Sequence, residues 1–94
     1  KKQIFGKHII IYFVPIKGVE RKIAFSVGKK VSKRAVVRNS IKRKLKEITR
    51  LNQHHINKRY DLLIIGKKSI IEAAYSDLNI ELKELMDRIG LWMK

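Results

Sequence analysis

The chain has 94 residues, no cysteine and a formal charge of +15, from 23 Lys and Arg against eight Asp and Glu. That length holds one small domain with a single core, and a hydrophobic fraction of 45% argues against wholesale disorder. The lack of cysteine excludes disulfides, thiolate zinc sites and cysteine nucleophiles. No apolar run approaches the ~18 to 20 residues of a membrane span.

A charge this large attracts polyanions. Nucleic acid is the commonest such partner, ahead of an anionic membrane surface or a merely soluble basic surface. The distribution sharpens this. Between Lys29 and Arg50 stand Lys29, Lys30, Lys33, Arg34, Arg38, Lys42, Arg43, Lys44, Lys46 and Arg50, with Glu47 as the one acid. From Ser76 onward acids outnumber bases. A uniformly sticky surface would not be divided in this way.

In chain order, a short strand is expected near Gln3 to Phe5, with Gly6 as a break. His8 to Val14 is a β-branched and aromatic run ended by Pro15, and it predicts a strand covered on both faces. Ile16 to Arg21 reads as a turn and Lys22 to Val27 as a second strand, the two forming a hairpin. Ser32 is the expected N-cap of a helix running to about Leu51. At ~100° per residue, Val37, Ile41, Leu45, Ile48 and Leu51 fall in one apolar arc of roughly 120°. Arg38, Asn39, Lys42, Arg43, Lys46 and Arg50 fill a separate arc. Tyr60 to Gly66 predicts another long strand, Ile70 to Ala74 a short helical turn, and Ser76 the cap of a last helix. Leu78, Leu82, Leu85, Met86 and Ile89 form the stripe of that helix, and Gly90 stops it. This order predicts an α/β (α+β) two-layer sandwich, a small mixed sheet with a central basic crossover helix and a C-terminal amphipathic helix.

Nothing in the chain resembles catalytic machinery. There is no nucleophile elbow, phosphate-binding glycine loop or zinc spacing. His54 and His55 are read as solvated loop neighbours rather than metal ligands, and His8 as an edge residue. The basic arc is the strong feature. Its like charges repel at i, i+4, no Glu is expected to relieve them, and Asn39 within the arc offers both donor and acceptor. A polyanion would offset that repulsion. Tyr12 reads from alternation as core, or else as a stacking platform for an unpaired base.

The stretch Phe25-Ser26-Val27-Gly28-Lys29-Lys30-Val31-Ser32-Lys33-Arg34-Ala35-Val36-Val37-Arg38-Asn39-Ser40-Ile41-Lys42-Arg43-Lys44-Leu45-Lys46-Glu47 resembles the hallmark of the protein subunit of bacterial ribonuclease P. That hallmark runs Lys-Lys, a gap, Ala-Val, Arg-Asn, two residues, Lys-Arg, then a base and an acid. The strand with Tyr12, the strand ending at Gly66 before Lys67-Lys68, and the last helix agree with it, so the resemblance spans essentially all 94 residues.

The resemblance implies a bacterial, cytoplasmic subunit that binds a large catalytic RNA, one protein per RNA. Together they remove the 5′ leader of precursor tRNA. The RNA performs the hydrolysis with Mg2+, and the protein alone is inactive, with no catalytic residue, no membrane partner and no metal position assigned to it. Arg38, Asn39, Lys42, Arg43 and Lys46 would meet the catalytic RNA, with Lys29, Lys30, Lys33, Arg34 and Arg50 in the same basic region. Tyr12, Asn39 and Lys42 would contact the leader, in a cleft between the sheet and the basic helix. The family's crossover is left-handed, against the usual rule. Two departures stand out. Nothing here matches the family's N-terminal basic helix, so residues 1–94 are expected to be one RNA-binding domain that lacks it. Arg34 stands where a small residue is common, and Ser40 where a base is common. A small ribosomal or RNA-chaperone-type protein without a processing role is the alternative.

Overall fold

The computed structural model describes residues 2–93. Four strands, β1 (Lys2–Phe5), β2 (Ile9–Pro15), β3 (Ile23–Ser26) and β4 (Tyr60–Gly66), form one sheet in the order β1-β2-β4-β3. β1 and β4 flank β2 in antiparallel register, and β3 runs parallel to β4. Ile11 lies opposite Ile64, and Phe25 is on the far side of Ile64. The expected hairpin of β2 with β3 is therefore not formed. The seven-residue apolar strand β4 takes the interior position, where both of its edges are paired, and the four-residue β3 is left at the rim. Short strands suit edges. The segment from Ile16 to Lys22 carries the chain across to that rim. It is held there by Ile16 N–H on the Arg59 carbonyl at 2.9 Å, Lys22 N–H on Asp61 Oδ1 at 2.7 Å, and Leu62 N–H on the Lys22 carbonyl at 2.9 Å.

Strand alternation sorts the sheet into two faces. Ile9, Ile11, Leu62 and Ile64 are buried with Ile41, Leu45 and Ile48 of helix α1 (Ala35–Asn52) and with Leu78, Leu82, Leu85 and Met86 of helix α2 (Tyr75–Arg88). The opposite face carries Ile10, Tyr12, Leu63 and Ile65, all half-buried, with Phe5 56% exposed beside Ile10. The expectation that β2 is covered on both faces fails, because both helices lie on one side.

Helix α1 begins at Ala35, three residues after the expected cap. Ser32 Oγ instead accepts the Arg34 N–H at 3.2 Å. Ser32 closes a local turn of the kind that competes with helix capping, and the turn is anchored by buried Val31, whose N–H reaches the Gly28 carbonyl. The buried face of α1 also sits one row round from the expected arc. Thr49 and Asn52 are inside, Val37 is half-buried, and Leu51 is 51% exposed. Asn52 explains the rotation. Its amide donates to the Ile48 carbonyl at 2.8 Å and to Asn79 Oδ1 of α2 at 2.9 Å, so this helix–helix contact draws Asn52 in and turns its neighbour Leu51 out.

Helix α2 starts one residue before the expected cap, Ser76. Ala74 holds the cap position, and the Asp77 carboxylate accepts the Ala74 N–H at 3.3 Å, which is the acidic half of a capping box. Gly90, at φ +75°, ends the helix as expected. Leu91 N–H returns to the Met86 carbonyl at 2.8 Å and Gly90 N–H to Asp87 at 3.1 Å, the paired bonds of a glycine-terminated helix. The 3-10 turn Lys68–Glu72 stands near the expected Ile70 to Ala74 turn.

Candidate nucleic-acid interface

The basic surface is built in two parts. From Gly28 to Arg34 the chain forms a loop pinned by Val31, with Lys29, Lys30, Lys33 and Arg34 exposed. Helix α1 then presents Asn39, Arg43 and Lys46 exposed, and Arg38 and Lys42 half-buried at the margin of the core face. Spacings of three and four residues place Arg38, Asn39, Lys42, Arg43 and Lys46 on one continuous strip.

Arg38 joins the two parts. Its Nη1 donates to the carbonyls of Ser32 at 3.0 Å and Lys33 at 2.9 Å. The guanidinium thus fixes the loop to the first turn of α1 and sets the origin of the Lys33 and Arg34 side chains. This role was not legible in the sequence, because an arginine bonding carbonyls five and six residues back has no periodic signature.

Arg50 differs from the rest of the strip. It forms an exposed ion pair with Glu47 one turn away, so the expectation of a face with no relieving acid is corrected at this end. The Arg50 hydrogen bond holds the Glu47 carboxyl below the usual carboxylate range, and Glu47 raises the Arg50 pKa in return. An i, i+3 spacing of Glu and Arg is enough to allow that pair, and it was available in the sequence.

Two grooves border the strip. Lys46, Thr49, Arg50 and Gln53 face Ile23 and Phe25 of the edge strand across a groove of about 160 Å³. Ser40, Arg43, Lys44 and Glu47 face Tyr75 of α2 across one of about 360 Å³. Lys44 and Tyr75, which is 42% exposed, were missed as surface candidates. Tyr75 is brought to α1 only by the packing of the two helices.

Tyr12 is not brought against the strip. It lies on the sheet face that neither helix covers, between Gln3 and Leu63 in register. There it lines a shallow apolar depression of about 440 Å³ with Val14, Asp61, Leu63 and Ile65. The expectation from alternation that Tyr12 is core gives way to a half-buried surface ring.

Two histidine readings change. His8 is 8% exposed rather than an open edge residue. Its Nδ1 lies 2.9 Å from Ser69 Oγ, which itself donates to the Lys7 carbonyl at 2.9 Å. The single hydroxyl proton is committed to that carbonyl, so His8 Nδ1 carries the proton in its own bond. His55 is half-buried and stacked on Trp92, not solvated.

Among the described residues, no group of three or more His, Asp or Glu is placed to hold a metal ion. No helix among them is long and apolar enough to cross a membrane.

Comparison with known proteins gives one consistent picture. The family model described as Ribonuclease P matches residues 1–90. The "Ribonuclease P protein component" of Clostridioides difficile (strain 630) is 34% identical over 91 residues, covering 96% of this chain and 79% of that protein. The protein of the same name from Clostridium kluyveri is 37% identical over 92 residues, covering 94% and 80%. Among solved structures, the RNase P protein of Staphylococcus aureus superposes with a TM-score of 0.83 at 21% identity, covering 97% of this chain and 83% of that one. The RNase P protein of Thermotoga maritima gives 0.81 at 25% identity, covering 93% and 82%. The alternative of a ribosomal or chaperone-type protein draws no support from these matches. The hallmark from Lys29 to Glu47, the mixed four-stranded sheet backed by two helices and the match over residues 1–90 agree: the chain belongs to the ribonuclease P protein family.

Proposed function

We propose that this chain works as the protein component of ribonuclease P, the ribonucleoprotein endoribonuclease that removes the 5′ leader of precursor tRNA, and that it does so by binding. The observation that carries this reading is the α1 strip. Arg43 and Lys46 are exposed cations with no acid paired to them among the described residues, and Arg38 locks the equally basic loop beside them. Such a surface is suited to the phosphates of a folded RNA, where charge neutralisation supplies most of the affinity. In this reading the strip and Lys29, Lys30, Lys33 and Arg34 hold the catalytic RNA.

The leader would be met by Tyr12, Asn39 and Lys42. Tyr12 and the strip are on different sides of the sheet, so a strand touching both passes around the rim at β3. There Ala24 and Ser26 are small and exposed on the Tyr12 side. The half-buried ring of Tyr12 beside Leu63 and Ile65 offers a stacking surface that tolerates any base.

Mg2+ would serve the RNA's own chemistry; among the described residues no group of three or more His, Asp or Glu is placed to hold a metal ion. Glu81 is committed to backbone N–H groups and Glu47 to Arg50. The protein would act as one copy per RNA, in the cytoplasm, and would be inactive alone. Reconstitution with a bacterial ribonuclease P RNA tests this. Adding the protein at low Mg2+ should raise the rate of 5′ maturation of a leader-bearing precursor, and RNA-free protein should give no cleavage. Efficient cleavage by the protein alone, or no stimulation of the RNA, would overturn the reading.

A further inference from the structure

At the end of α1 the chain makes a 3-10 turn, Gln53–His55, and three rings come together, His55 stacked on Trp92 and His54 tilted against His55. The His54 and His55 ring centroids are 4.0 Å apart at 44°, and those of His55 and Trp92 are 4.6 Å apart at 21°. The inner two rings have a structural task. His55 Nδ1 donates to the Met93 carbonyl at 2.8 Å. Met93 N–H returns to the His55 carbonyl, Asn57 N–H reaches Leu91, and Ile56 pairs with Trp92 as an isolated bridge. Together these contacts fasten the segment after α2 to the end of α1.

His54 is not needed for that clasp. It is exposed, makes no side-chain hydrogen bond among the described residues, and sets its ring against that of His55. The charges on its own segment are of one sign. Between Arg50 and Tyr60 there is no acid, and Lys58 and Arg59 are both exposed. Beneath the turn, half-buried Arg21 donates to the carbonyls of Ile56 at 2.8 Å and Asn57 at 3.2 Å, which fixes the base of the column. An aromatic face backed by a second ring, with exposed cations four and five residues further on and no acid between Arg50 and Tyr60, has the chemistry of a single-stranded nucleic-acid contact: base on ring, phosphate on Lys or Arg.

We infer that the His54–His55–Trp92 column is a further RNA contact, in which an unpaired base stacks on His54 while Lys58 and Arg59 meet its flanking phosphates. The inference rests on the RNA-binding reading above. It adds a site at the C-terminal end of the basic helix, separate from Tyr12.

Trp92 is the chain's one tryptophan, so its emission reports on this column alone. The probe is decauridylate, with a blunt RNA hairpin as comparison and anisotropy of end-labelled RNA as an independent measure of binding. Decauridylate should change Trp92 emission with saturation. His54→Ala should raise the concentration needed about fivefold or more, as expected for loss of one stacked base. Melting temperature should be unchanged, and His54→Phe should restore the response. Decauridylate bound by anisotropy without any Trp92 response, or an equal response in His54→Ala, would overturn the platform and leave the family function standing. Failure to bind either RNA would count against the RNA-binding reading itself.

Discussion

The side-chain amide of Asn52 donates to Oδ1 of Asn79 at 2.9 Å, in a contact that links α1 to α2. Asn52 also donates to the Ile48 carbonyl and is buried, so its amide is satisfied only while the helices are together. Removing it leaves the Asn79 oxygen short of a partner. Asn52→Ala should cost about 1 to 3 kcal/mol, read as a lower midpoint in urea with an unchanged slope. Asn52→Leu should not recover the loss, because it leaves the same oxygen unpaired.

Arg43 and Arg38 should separate binding from folding. Arg43 is exposed and makes no bond within the chain among the described residues. Arg43→Ala should therefore weaken binding to ribonuclease P RNA and leave the melting temperature unchanged. Arg38→Ala removes the two bonds to the Ser32 and Lys33 carbonyls. It should weaken binding further and also lower stability by about 1 kcal/mol, a few degrees in a chain of this size. Equal melting curves for the two variants would show that the Arg38 bonds contribute nothing in solution.

Glu47 should act as a brake on RNA binding. It pairs with Arg50 at the end of the strip. Glu47→Gln frees that guanidinium and removes a negative charge, so affinity should rise modestly. The slope of log K against log salt should steepen by up to about one unit, and Arg43→Ala should flatten it by a similar amount. Acidification does not substitute for the mutation, because Arg50 holds the Glu47 carboxyl below its ordinary range. Glu47 keeps its charge down to its depressed folded pKa, so any stability the pair contributes is present above the unfolded pKa and is lost as pH falls from there through the folded one.

Gly6 is required by Glu81. That carboxylate on α2 accepts the Ile9 N–H at 2.8 Å and the His8 N–H at 2.9 Å, tying α2 to the start of β2. A Cβ at position 6 would collide with Glu81 Oε2 and with Leu85 Cδ1. Gly6→Ala should destabilise by about 1 to 3 kcal/mol, measured by thermal unfolding. Gly18→Ala, where a Cβ meets nothing, should be close to neutral.

Tyr12 should matter only to substrate with a leader. Tyr12→Ala should weaken binding of precursor tRNA carrying a single-stranded leader by about fivefold or more, the effect of one lost stack. Affinity for mature tRNA and for the catalytic RNA should be unaffected. A uniform loss across all three ligands would assign Tyr12 to the fold instead.

The sequence by itself determined the elements, most of the core and the basic strip. Ile41, Leu45, Leu82 and Met86 were legible because burial of apolar side chains follows the helical period, and Arg38 to Lys46 because charge placement follows the same period; which face of β2 and β4 is buried was not, because both runs are apolar on both sides. The tertiary structure alone decided which strands pair, since the apolar runs of β2, β3 and β4 carry no mark of their neighbour, and β4 displaced β3 from β2 by non-local packing. It decided that Leu51 turns out, because Asn52 is claimed by Asn79, a residue 27 positions away. It also decided that His55 meets Trp92, 37 positions away. Periodicity reports which side of an element is apolar. It does not report which distant polar group will satisfy a buried amide or complete a stack, and those contacts set the rotation of α1 and the ring column at its end.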